Sequence, residues 1–187
     1  MNDVITAILD RRSIRKYTPE QIPDADRDLI VKAGLFAPSS KNTQAWHITV
    51  VQNADIIARI TVETKAAILR AGVEKYRALA ENPKYTVNYG APTFMLVAAD
   101  PRGTSCPVED CSLVLGNMFL AAHSLGIGSC WINQLGPVTD ERVFRKLLTE
   151  LGVPPDYKIY GCAAFGYGAS ARPSAPARKE NTVNLVR

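Results

Sequence analysis

Four cations and a hydroxyl fall within seven residues at Arg11-Arg12-Ser13-Ile14-Arg15-Lys16-Tyr17. Arginine presents a planar fork of donors that matches phosphate oxygens, and a serine hydroxyl adds a neutral donor without adding charge. The combination suits a phosphate grip. The run also follows a short amphipathic helix pattern, and cations collect at helix C-termini under the macrodipole, so a solvated helix end satisfies the same spacing. A second basic pair, Arg178-Lys179, lies near the other end of the chain.

The formal net charge is +4 and the pI about 8.9. Residues 11–17 carry +4 and residues 172–187 a further +3, so the remainder of the chain is −3. The basicity is therefore local. A nucleic-acid binder shows a basic stripe with interleaved aromatics or a known module, and neither is present. The expected partner is a small phosphorylated ligand, with no nucleic acid.

Other chemistries find little support. His47 and His123 have no carboxylate or cysteine at metal-ligand spacing, so no metal site is expected, and His47 at a strand start reads as structural. Cys106, Cys111, Cys130 and Cys162 form no C-x-x-C pair, and Cys130 and Cys162 sit in apolar runs as small core residues. Serine nucleophile elbow, Walker loop and dinucleotide fingerprint are all missing. The chemistry must come from something bound.

The elements that would position such a ligand can be read from periodicity. Val4, Ile5, Ile8 and Leu9 recur at helical spacing after a polar Asn2-Asp3 start, which predicts a first helix ending at the arginine run. A second helix opens at Pro23-Asp24 and is stopped by Pro38, and the polar loop Ser39 to Gln44 follows. Trp46 to Gln52 reads as a strand, then a helix capped near Asn53. Residues 70–90, with Tyr76, Tyr85 and Tyr89, fit either a helix-loop covering a pocket or an ordinary surface helix and turn.

Thr93 to Ala99 is apolar on both faces, which predicts a central strand. Residues 108–125 form a helix apolar nearly all round, and Gly126 to Asn133 turns into a strand. An amphipathic helix over Thr139 to Leu151, capped at Thr139-Asp140, precedes a last strand over Tyr157 to Tyr167. The apolar stretch Leu113 to Trp131 is broken by Asn117, His123, Ser124 and glycines, so no membrane span is expected. The start of the chain lacks a secretory pattern, and the expected location is cytoplasmic. Without a linker or repeat, residues 1–187 are expected to form one α+β layered domain, with a basic Pro/Ala/Ser tail from Gly168.

Taken in order, these motifs resemble the nitroreductase family of FMN-dependent NAD(P)H oxidoreductases. The carriers are Arg11 to Tyr17, Ala37 to Trp46, Ala91-Pro92, Leu125 to Trp131, Gly166-Tyr167 and Arg178-Lys179. The resemblance implies a three-layer α/β/α fold around a mostly antiparallel sheet of four to five strands, in a domain-swapped homodimer. Residues 168–187 would dock on the partner subunit. FMN would be held by Arg11, Arg12, Ser13 and Arg15, joined by Arg178 and Lys179. Pro38, Ser39, Ser40, Asn42 and Gln44 would approach the ring from the other subunit, and Gly128 and Ser129 would let backbone come close to it.

The implied reaction is ping-pong: NADH or NADPH reduces the flavin at N5, and a nitroaromatic, quinone or activated alkene is then reduced. The chemistry belongs to the flavin, so no catalytic side chain is assigned. The alternative is a flavin-binding storage or redox-sensing protein without catalysis. Ala45, where the family often has proline, and Gly168, where Gly-Tyr-Pro is common, depart from the pattern.

Overall fold

The computed structural model describes residues 2–187. Helix α1 runs Asp3–Asp10, its N-terminus capped by Asn2, whose side chain accepts the Ile5 N–H at 3.0 Å. It stops where the arginines begin. Helix α2, Asp24–Leu35, starts after Pro23 with Asp24 and Asp26 in its first turn, where carboxylates complement the macrodipole. Strand β1 is Trp46–Val51, and helix α3, Ala54–Arg70, is capped by Asn53, which accepts the Ile56 N–H. Helix α4, Arg77–Glu81, precedes strand β2, Thr93–Ala99. Helix α5 is Pro107–Ser124, strand β3 Gly128–Ile132, helix α6 Arg142–Glu150 and strand β4 Lys158–Gly166.

The four strands form one sheet in the order β1-β2-β4-β3, antiparallel throughout. Strand β2 is buried on both faces, as its sequence predicts, and its alternation divides the core in two. Phe94, Leu96 and Ala98 pack toward α3 and α6, whereas Met95, Val97 and Ala99 pack toward α2 and α5. Each fully buried large side chain removes enough apolar surface to contribute about 1.5–3 kcal/mol. The result is the expected α/β/α layering.

One local reading changes, and one that the sequence leaves open takes a definite form. The last helix begins at Arg142, not at Thr139, because Glu141 is the better cap: it accepts the Phe144 N–H at 3.0 Å and pairs with Arg70 of α3 at 2.7 Å. The Thr139 hydroxyl instead serves the preceding turn, donating to the Gly136 carbonyl at 2.9 Å. Residues 70–90 fold as a one-turn 3₁₀ helix at Glu74–Tyr76, then α4 and turns. Tyr76, Ala80 and Val87 are buried there, with Tyr85 and Tyr89 packed against the same core.

The burial of two thiols follows the sequence reading. His47 meets Tyr157 edge-on at 6.3 Å, and Cys130 and Cys162 are core residues. Burial, and then the Asp110 charge, push the Cys111 thiol up to about 12. Among the described residues no helix is long and apolar enough to cross a membrane, and no cluster of three or more His, Cys, Asp or Glu could hold a metal ion.

The Glu141 cap yields a test. Its carboxyl is lowered to about 2, by the Arg70 hydrogen bond foremost and by the Phe144 and Val143 N–H groups. A depressed folded-state pKa contributes stability above the ordinary value of 4.5 and loses it as pH falls to about 2. Glu141→Gln should lower stability by about 1 kcal/mol at neutral pH. Urea denaturation across the acid range should show the gap from the parent closing below pH 4.5.

Candidate functional site

Strand β3 lies at the sheet edge, and an edge strand carries backbone donors and acceptors that need partners. Residues 13–18 supply them. The Ile14 N–H donates to the Ser129 carbonyl at 2.9 Å, and Ser13 bridges Ser129 in the parallel sense. Further along, Tyr17 bridges Gly168, and the Thr18 N–H donates to the Tyr167 carbonyl at 2.9 Å. The Tyr17 hydroxyl donates to the Ile14 carbonyl at 2.6 Å, and burial, with Cys130 next, holds its phenol well above the ordinary range. The basic run is thus a fixed arm.

Gly128 belongs to this pairing. A Cβ there would lie 2.8 Å from Ile14 Cγ1 and 3.1 Å from the Gly166 carbonyl, so the arm itself requires the glycine. Ser129, only 2% exposed, is buried beside it. Upstream, Gly126 at φ +76° ends α5 and reverses the chain into β3, the Ile127 N–H donating back to Ala122 at 2.8 Å.

The cations converge next. Arg12 donates through Nη1 to the carbonyls of Leu9 at 2.7 Å and Arg11 at 2.6 Å, which α1 leaves without helical partners. Its Nε is buried with no partner among the described residues. The Arg11 guanidinium lies 5.8 Å from the Phe119 ring centre and that of Arg15 6.0 Å from Tyr89. Arg11, Arg12, Ser13 and Arg15 line one cavity of about 300 Å³ together with Arg178 and two tail prolines. Arg11 and Arg12 also border a neighbouring cavity of about 200 Å³ with His123, Gly128, Ser129 and Arg172. No carboxylate lines either one.

Lys179, expected beside Arg178, lines neither cavity, and Arg172 and His123 were not anticipated. Burial and then the charges of Arg172, Arg11 and Arg12 push the His123 imidazole down, with Asp10 opposing. In the sequence, Arg172 is one cation in a basic tail; only the Tyr17–Gly168 bridge, which turns the tail along the arm, brings it here. The spacing of Gly166-Tyr167-Gly168 before it was the one available signal.

The polar loop lies elsewhere. Ser40–Asn42 form a single 3₁₀ turn, and Lys41, Asn42 and Gln44 adopt φ of 50°, 54° and 48°, a left-handed region that costs non-glycine residues about 1 kcal/mol each. The Ser40 N–H donates to buried Asp110 at 2.9 Å and the Gln44 N–H to Ser39 Oγ at 3.0 Å. None of Pro38, Ser39, Ser40, Asn42 or Gln44 lines the arginine cavities. Asp110 and His123 stand at opposite ends of α5, thirteen residues or about 20 Å apart at 1.5 Å per residue. One chain therefore keeps the two halves of the expected site apart.

Comparison with known proteins places these features. The nitroreductase family's sequence pattern matches residues 8–167. An Archaeoglobus fulgidus protein with the provisional name NADH dehydrogenase/NAD(P)H nitroreductase is 32% identical over 171 residues, covering 89% of this chain and 86% of that one. The NADPH-flavin oxidoreductase of Vibrio harveyi is 31% identical over 143 residues, which is 72% of this chain and 55% of the Vibrio protein. A crystal structure of a Bacteroides fragilis nitroreductase with bound FMN superposes with a TM-score of 0.95 at 39% identity, covering all of both chains. The chain belongs to the nitroreductase family.

The Gly128 contact can be tested without any ligand. Gly128→Ala should force Ile14 outward and destabilise the protein by about 1–3 kcal/mol. Adding Ile14→Ala should recover part of that loss, so urea denaturation of the two single variants and the double should depart from additivity. Strict additivity would separate Gly128 from the arm.

Proposed function

We propose that the chain is an FMN-dependent oxidoreductase that works as a homodimer. One observation carries the reading: Arg11, Arg12, Arg15 and Arg178 surround a cavity without a carboxylate, and within that group the Arg12 Nε is buried and unpartnered. Like charges gathered this way are held at a net electrostatic cost until an anion arrives, and a buried donor without an acceptor adds to that cost. A phosphate monoester answers both. The donor set, forked guanidinium groups plus the Ser13 hydroxyl, fits its oxygens.

FMN, when bound, supplies the redox chemistry, accepting hydride from NADH or NADPH at N5 and passing it to a nitroaromatic, quinone or activated alkene in ping-pong order. The protein's own residues hold and orient. Arg11, Arg12, Ser13, Arg15 and Arg178 neutralise the phosphate, and Arg172 adds charge from the adjoining cavity. Gly128 and Ser129 bring the end of the arm and β3 close to the ring. Pro38, Ser39, Ser40, Asn42 and Gln44 reach the same flavin from a second copy. The tail from Gly168 to Arg178 stays on this chain's own arm, and only the part beyond Arg178, with exposed Val183, Leu185 and Val186, extends across that copy.

The surface supports a second copy. Helix α1 buries none of its residues, and Val4, Ile5, Ile8 and Leu9 are 63%, 42%, 49% and 52% exposed. Leu35 and Phe36 at the end of α2, Leu113 on α5, and Val183, Leu185 and Val186 in the tail are exposed as well. An apolar surface of this kind is characteristic of an association face. A copy covering it around a two-fold axis would carry its loop to the far end of α5, where the arginines lie.

The visible spectrum of the purified protein, followed by anaerobic NADH or NADPH, tests the reading. A flavin band that bleaches with either nucleotide faster than free FMN does is the expected result. A stable band would indicate binding without catalysis, and no band after FMN is supplied would overturn the proposal. Arg15→Ala and Arg178→Ala should each weaken FMN binding by about 10- to 100-fold, the worth of a hydrogen bond to a charged group. Lys179→Ala, outside both cavities, should change it by less than about twofold.

A further inference from the structure

Asp110 stands in the first turn of α5, is 3% exposed and makes no ion pair among the described residues. Its two oxygens are engaged by neutral donors: Oδ1 accepts the Ser40 N–H at 2.9 Å and Oδ2 the Thr104 hydroxyl at 2.6 Å. Burying a carboxylate without a cation is expensive even where a helix N-terminus favours negative charge. What this one holds is not core. Lys41, Asn42, Thr43 and Gln44 are all exposed, and three of the four sit in left-handed backbone that only surrounding contacts can maintain.

The loop's other ties are weaker or internal. Ser40 Oγ meets Ser105 Oγ at 3.1 Å at the surface, and the Gln44 amide donates to Asn42 Oδ1 at 2.9 Å within the loop itself. Among the described residues, the Asp110 bond to Ser40 is thus the one charge-assisted hydrogen bond between the strained loop and the body of the protein, and its acceptor is buried. A fold that needed only a connection from α2 to β1 would need neither the strain nor the buried charge.

We infer that Asp110 is a positioning residue: its carboxylate clamps the Ser39–Gln44 loop in the left-handed shape with which the loop meets the flavin of a second copy. The inference rests on the proposed FMN site, and it adds a residue that touches no cofactor. Thr104 completes the clamp by occupying the second oxygen, and its own Oγ accepts the Cys106 N–H at 3.2 Å, tying the assembly to the start of α5.

Hydrogen exchange of the loop amides in the FMN-loaded protein, together with FMN affinity, tests this for Asp110→Ala, Asp110→Asn and Asn42→Ala. Asp110→Ala should speed exchange at residues 40–44 and weaken FMN binding, each by about tenfold or more, while the β2 amides stay protected. Asp110→Asn should restore both, because its Oδ1 still accepts from Ser40 and its amide donates to a turned Thr104 hydroxyl. Unchanged loop exchange in Asp110→Ala would overturn the inference. So would a loosened loop with unchanged FMN affinity in Asp110→Ala while Asn42→Ala weakens binding. If Asn42→Ala also leaves FMN affinity unchanged, the loop is no part of the flavin site and the inference is overturned, whereas failure of the functional reading itself would show as no flavin band after FMN is supplied. Should Asp110→Ala not fold, Thr104→Val removes one donor at constant shape, and no change in its loop exchange would overturn the clamp.

Discussion

Everything at the basic end of this protein depends on the pairing of residues 13–18 with the edge of β3 and the end of β4. Three backbone hydrogen bonds and the Tyr17 hydroxyl turn a run of cations that would otherwise repel into a rigid strip. Two like charges 4 Å apart interact by about 1 kcal/mol in water and about 4 kcal/mol at the effective dielectric of a protein surface. Net backbone hydrogen bonds are each worth about 1 kcal/mol, so the arm stays in place only because several act together and because Ile14 fits where Gly128 has no side chain. The strip then fixes the tail, since Gly168 and Ala169 pair with Tyr17 and Lys16 and aim Arg172 and Arg178 toward the same region.

Helix termini decide where those charges are tolerable. Helices α1 and α5 both end beside the arm, and their free carbonyls make that corner partly negative. Arg12 uses it directly by donating to Leu9 and Arg11. The solvated-helix-end reading of the arginine run is thus correct for one guanidinium nitrogen, and it leaves the other cations of the cavity, and the Arg12 Nε, without an anion. The two readings describe different atoms of the same residues.

The sequence was most legible where one signal dominated. Thr93 to Ala99 is apolar at every position, and Asn2 and Asn53 are caps that nothing else competes for, so these elements lie where periodicity predicts them. At Thr139 two caps compete, and the winner is set by Arg70, which is distant in the chain and invisible to local reading. Residues 70–90 were ambiguous because their apolar side chains follow no period: Tyr76, Ala80 and Val87 reach the core from a short 3₁₀ turn, a short helix and a loop. Of the candidate site, the arginine run was readable as a local composition, whereas Arg172, His123 and Asp110 take their places through contacts across the fold.

The length of α5 turns these local facts into a question of assembly. Its N-terminal turn holds Asp110 and through it the strained loop, and its C-terminal end stands beside the arginines. A rigid buried helix cannot shorten, so about 20 Å separates this chain's own loop from its own arginines. The apolar residues left exposed on α1, at the end of α2 and on α5 lie on the elements that connect the two ends. In the proposed homodimer, a two-fold partner covering them would bury that surface and would bring each loop to the other's arginines in a single step, which would link the hydrophobic reason to associate with the polar reason to bind.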